Sequence, residues 1–122
     1  MIGYVTLGTN NLPRAAAFYD ALLAGMGAKR MMENEQFVAW GTAEHLPGLG
    51  VTKPFDKKPA TVGNGVMVAL AVDSPAKVDA LHRKALELGA KDEGAPGPRG
   101  EGFYAGYFRD LDGNKLNFFH MG

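Results

Sequence analysis

The chain echoes itself at half its length, and this restricts the possible folds more than any other feature. Pro13 and Pro75 each open a helical pattern and stand 62 residues apart. Gly27-Ala28-Lys29 and Gly89-Ala90-Lys91 close those patterns at the same offset. Ala16, Tyr19, Leu23 and Met26 recur at spacings of three and four, as one face of a helix requires. Val78, Leu81, Ala85 and Leu88 are the same positions shifted by 62. A repeat of this length in 122 residues predicts two copies of one supersecondary unit.

The first copy opens with a strand over residues 2–8, rich in β-branched and aromatic residues. Asn11 caps the helix that follows, and Gly27 stops it in the left-handed conformation. Three short strands are expected at 28–33, 37–42 and 49–53. Residues 54–65, rich in Pro, Lys and Gly, read as the link between copies. The second copy has a strand at 66–72, then Ser74 as cap with Pro75 in the first helical turn. A short strand at 90–93, a Gly/Pro-rich loop at 94–102, and a hairpin of 103–109 with 115–120 complete it. The order is βαβββ twice, with modules of about 1–53 and 66–122 in one domain. Each helix covers one sheet face, which predicts an α+β fold: a curved mixed sheet around a concave pocket.

Composition narrows the function classes. Thirteen basic and thirteen acidic residues give no net charge, so nothing draws the whole molecule to nucleic acid or an anionic membrane. One local cluster, Lys53, Lys57 and Lys58, reads as a solvated loop. The absence of cysteine excludes disulfides, thiolate metal sites and a thiol nucleophile. The longest apolar run, residues 66–72, is too short to span a bilayer. The start of the chain has no basic region before a long apolar run, so the expected location is the cytoplasm.

Several motifs resemble one family. Tyr4-Val-Thr-Leu-Gly-Thr-Asn-Asn-Leu-Pro followed by Ala17-Phe18-Tyr19 resembles the first strand and helix of vicinal-oxygen-chelate proteins, the glyoxalase, bleomycin-resistance and dioxygenase superfamily. Arg109-Asp110-Leu111-Asp112-Gly113-Asn114-Lys115-Leu116 resembles their closing hairpin. Gly63-Asn64-Gly65 and the helix from Ser74 to Gly89 fit the start of their second module. The family typically holds one divalent metal with His, Gln or Glu. The resemblance places those positions at Tyr4, Met67, Asn117 and an unassigned residue in 49–53. A phenol, a thioether and a neutral amide are poor ligands for a hard divalent ion. No metal and no other cofactor is expected.

The resemblance and the aromatic content give a candidate ligand pocket of Tyr4, Trp40, Met67, Arg99, Tyr104 and Asn117. Phe37, Trp40, Tyr104 and Tyr107 lie on strands, and alternation alone does not divide them between core and pocket. Gly97, Gly100 and Gly102 frame Arg99 and Glu101 in a loop, either a plain connector or a lid whose Arg99 meets an anion. The histidines come from separate elements: His45 in a surface turn, His82 on a partly exposed helix flank, and His120 at an edge. Asp110, Asp112 and Asn114 read as a tight turn rather than a calcium loop, because no bidentate Glu follows. The first functional expectation is a metal-free small-molecule binder. The alternative is a glyoxalase-like lyase or isomerase using Glu101, His120 or Tyr4 as acid or base. A metal-dependent dioxygenase ranks last for want of ligands. The resemblance also implies a homodimer.

Overall fold

Asn11 accepts a hydrogen bond from the Arg14 N–H on its Oδ1 (3.1 Å), and the chain enters helix α1, Leu12–Leu23. Ser74 does the same for Lys77 (3.1 Å) at the start of α2, Pro75–Glu87. These caps satisfy backbone donors that have no partner inside a helix. A 3-10 turn over Ala24–Met26 ends at Gly27, whose φ of 75° only glycine adopts freely.

A computed structural model describes all 122 residues, which divide into two compact units, Met1–Val62 and Gly63–Gly122. The first contains β1 (Tyr4–Gly8), α1, β2 (Lys29–Glu33), β3 (Phe37–Gly41) and β4 (Gly48–Thr52). Its sheet runs β1-β4-β3-β2, with β1 parallel to β4 and the other pairs antiparallel. The second contains β5 (Val68–Ala71), α2, β6 (Lys91–Pro98), β7 (Phe103–Arg109) and β8 (Lys115–Met121). Its sheet runs β5-β8-β7-β6 with the same pattern of directions. The α+β class and the doubled βαβββ order are as expected, realised as two four-stranded mixed sheets.

Each helix buries its stripe on one sheet face. In the first unit Tyr19, Leu22 and Leu23 pack with Val38, Trp40, Leu49 and Val51, all at most 5% exposed. In the second, Val78, Leu81 and Ala85 pack with Phe108, Leu116 and Phe118, and the two Phe rings stack at 5.5 Å. Each large apolar side chain so buried contributes about 1.5–3 kcal/mol.

Three expectations need correction. The strand expected at 66–72 is shorter: Val66 and Met67 precede β5. The expected loop at 94–102 is mostly strand, since β6 continues to Pro98 and only a tight turn remains before Phe103. β6 is an edge strand with register shifts near Gly94, where proline and glycine are tolerated because no second neighbour needs their N–H. His82 is 4% exposed rather than on an open flank. Its ring lies over Gly106, where an added Cβ would stand 3.1 Å from His82 Cδ2, and its Nε2 is 3.0 Å from the Tyr107 carbonyl. His45 is exposed, and His120 Nδ1 meets the Val72 carbonyl at 3.0 Å. Asp110 closes its turn by accepting from the N–H groups of Asp112 and Asn114, both at 2.9 Å.

Candidate functional site

Strand alternation sorts the expected pocket residues onto two kinds of surface. One face of each sheet meets its helix and the other carries no helix. The Trp40 indole is on the helix face: it is 2% exposed, lies 5.6 Å from the Tyr19 ring, and donates from Nε1 to Asp20 Oδ1 (2.8 Å). Arg30 binds the same carboxylate through Nε (2.9 Å), which holds Asp20 below its usual pKa; the Trp40 bond acts in the same direction. Tyr104 is also on the helix face. Its hydroxyl donates to Asp79 Oδ1 of α2 (2.6 Å), and that bond pushes the phenol pKa up. Tyr104 therefore leaves the open-face set, whereas Trp40 turns its indole to the helix and still borders the first unit's open-face groove. Tyr104 instead borders a separate groove with Asp79, His82 and Asp92.

The remaining four divide between the units. In the first unit the open face is apolar and floored by glycine. Tyr4, 67% exposed, meets Phe37 edge to face at 6.3 Å. Met31, Met32, Leu46 and Trp40 also line this groove of about 370 Å³, and Glu44 is its one charged residue. The Phe37 ring lies directly over Gly50, where any Cβ would fall 2.5 Å from Phe37 Cε2.

The second unit's open face is polar and cationic. Asn117 pairs with Tyr107 across β7 and β8, and Arg99 and Lys115 both approach the Tyr107 ring, at 5.6 and 5.5 Å from its centroid. Arg99 is held there by donating to the Ala95 carbonyl (2.6 Å). Arg109 on the same strand is occupied by Glu93 (2.7 Å), whose pKa it lowers, whereas Arg99 and Lys115 form no salt bridge. Asn117 is 1% exposed, and its Oδ1 has no hydrogen-bond partner. Met67 stands just before β5, 40% exposed. Lys115 was not among the expected residues. The hairpin register, which pairs it with Arg109 two places before Asn117, is the signal that finds it.

The register also settles which positions correspond between the units. Val5 pairs with Leu49, and Val68 pairs with Leu116. Tyr4 is therefore the counterpart of Met67. Thr6 pairs with Gly50 and Ala69 with Asn117, so Gly50 is the counterpart of Asn117. The position that sequence left open within 49–53 is thus Gly50, which has no side chain.

The tandem of βαβββ units with one helix-free sheet face each defines a glyoxalase-like class of protein. The model of the Glyoxalase/Bleomycin resistance protein/Dioxygenase superfamily matches residues 1–118, and the chain belongs to that superfamily. A glyoxalase/bleomycin resistance protein from Albidiferax ferrireducens T118 is similar over 100% of this chain and 99% of its own, at 34% identity and a TM-score of 0.91. A glyoxalase/bleomycin resistance protein/dioxygenase family enzyme from Burkholderia phytofirmans PsJN shares the fold at 18% identity and a TM-score of 0.79, covering 98% of both chains. Lactoylglutathione lyase from Agrobacterium tumefaciens does so at 21% identity and 0.73, covering 98% of this chain and 92% of its own. No curated protein matches. No helix is long and apolar enough to cross a membrane.

The residues present do not suit the divalent metal that the family resemblance implies. The four corresponding positions carry a phenol (Tyr4), no side chain (Gly50), a thioether (Met67) and a neutral amide (Asn117), and the space above Gly50 is taken by the Phe37 ring. None supplies the charge a hard cation requires. No group of three His, Asp or Glu side chains has metal-holding geometry elsewhere.

Proposed function

We propose that this protein binds a small organic molecule, partly apolar or aromatic and carrying an anionic group, without a divalent metal. The observation that carries the reading is Asn117: a buried acceptor with no partner, beside Tyr107 and two cations that form no salt bridge. A buried polar atom left unpaired costs about 1–3 kcal/mol, which a ligand donor would recover. Arg99 would meet the anionic group and the Tyr107 ring would pack on a planar one. The glycine-floored face of Tyr4 and Phe37 suits an apolar partner surface.

Titration calorimetry with an aromatic carboxylate such as naphthoate tests this. Wild type should bind, and Arg99→Ala should weaken binding about tenfold, the loss of one charge-assisted hydrogen bond. Equal affinity in both proteins would remove Arg99 from the site. The lyase or isomerase reading has no comparable support: Glu101 lies exposed in the β6–β7 turn, and the His120 ring is held by the Val72 carbonyl. Metal-free turnover of a hemithioacetal would restore it. Self-association belongs to the same proposal, supported by exposed Tyr4, Met31, Met32 and Leu46. Sedimentation should show a dimer at micromolar concentration; a monomer alone would refute it.

A further inference from the structure

We propose that the first unit carries a second, separate binding site, for a small molecule bearing a phosphate or diphosphate group, in the groove lined by Lys53, Lys57 and Lys58. By sequence these lysines form a solvated loop. The structure gathers them around a concavity of about 470 Å³, which Asn10 and Gln36 also line. That volume suits a small molecule rather than a flat macromolecular contact.

The groove is built and held. The Lys53 N–H donates to the Gln36 carbonyl (3.0 Å), and Gln36 Nε2 returns a bond to the Lys53 carbonyl (3.2 Å). Asn10 clasps the far end of the loop, accepting from the Ala60 N–H (2.7 Å) and donating to its carbonyl (3.3 Å). Between these clasps, Pro54 and Pro59 fix φ, and the Lys57 N–H bonds the Pro54 carbonyl (3.1 Å). Lys57 is the one non-glycine residue with positive φ, at 66°. The left-handed conformation is costly for a residue with a side chain. The loop therefore fixes where the three lysines leave the backbone, while their side chains stay exposed.

The residues lining the groove include three lysines and no carboxylate. None of the three lysines forms a salt bridge. Asp56, the only carboxylate between residues 53 and 60, spends its Oδ1 on the Lys58 N–H (3.0 Å). Three like charges around a concave surface repel one another and concentrate a positive potential there. A group of charge two or more relieves that repulsion, which favours phosphate over a single carboxylate. Lysine recognises phosphate as a point charge and needs no bidentate geometry. Leu12 and the two prolines give the rest of such a molecule an apolar wall.

The site is independent of the ligand face of Arg99 and Asn117, so the two readings fail separately. The probe is pyrophosphate at low ionic strength, followed by amide NMR shifts of the full chain. Shifts should saturate and cluster at Asn10, Gln36 and residues 53–60. Each exposed Lys→Gln change should weaken binding about threefold, and K53Q/K57Q/K58Q about thirtyfold. Arg99→Ala should leave the shifts at Asn10, Gln36 and residues 53–60 unchanged. An unaltered thermal midpoint certifies that the triple variant folds. Shifts spread equally over Lys29, Lys77 and Lys84, unchanged affinity at residues 53–60 in the triple variant, or loss of the residue 53–60 shifts with Arg99→Ala would each overturn the site. Tighter binding of a short single-stranded oligonucleotide than of pyrophosphate would overturn the assignment to a small molecule.

Discussion

The two units share a topology but not a surface. Their helix faces do the same job with similar side chains: Trp40 and Leu49 in the first occupy the register positions of Phe108 and Leu116 in the second. Their open faces have diverged. One is a glycine floor under Tyr4, Phe37 and two methionines; the other sets Arg99 and Lys115 around Tyr107 above a buried amide. The contrast teaches where a duplicated fold stores each kind of information. The covered face keeps the fold and tolerates little change in volume. The helix-free face has diverged, so apolar side chains and cationic ones have separated onto different halves.

That comparison breaks most readily in the shared layer. Trp40→Ala and Phe108→Ala should each destabilise by about 3–5 kcal/mol in denaturant titrations. A large loss at one and almost none at the other would mean the helix faces are not equivalent. A smaller effect sharpens the contrast between open faces. Gly50→Ala should cost about 1–3 kcal/mol by forcing the Phe37 ring aside, and Phe37→Ala should recover part of that loss. Its counterpart, Asn117→Leu, should be neutral or stabilising by up to about 1 kcal/mol, because it removes an unpaired acceptor, while binding of the aromatic acid falls. If Asn117→Leu destabilised strongly, the amide would be a structural group. The smallest effect concerns Asp20. Arg30 lowers its folded pKa below the unfolded value near 3.9, so its contribution is present above about pH 4 and fades as pH falls through the lowered value. Asp20→Asn keeps an acceptor for Trp40 and should cost under about 1 kcal/mol at neutral pH, since the pair is solvent-exposed, and nothing in acid. Equal costs at both pH values would assign the effect to packing.

The helices, their caps and the last hairpin were legible because local signals write them: Asn11, Ser74, the spaced apolar stripes and the Asp110 turn. β6 was not, because Gly94-Ala-Pro-Gly-Pro has loop composition, and only its place at a sheet edge permits it to pair. His82 misled because its burial depends on Gly106, distant in sequence and lacking a side chain. The turning of Trp40 and Tyr104 to the helix face rested on strand phase, which composition does not carry. The Gly50 counterpart was hidden because the repeat offset is not constant. It is 62 along the helices but 67 at β4 and β8, where Leu49 answers to Leu116, since β6 has eight residues to the five of β2 and β7 has seven to the five of β3.

The central claim is that the positions from which relatives would grip a divalent cation hold a phenol, a bare backbone, a thioether and a neutral amide. Calorimetric titration of chelator-treated protein with nickel, cobalt, zinc and manganese measures this directly. No saturable binding is expected at stoichiometric levels, and none is gained in the presence of an aromatic carboxylate. One equivalent of tightly held metal, lost on substituting Tyr4 or Asn117, would contradict it.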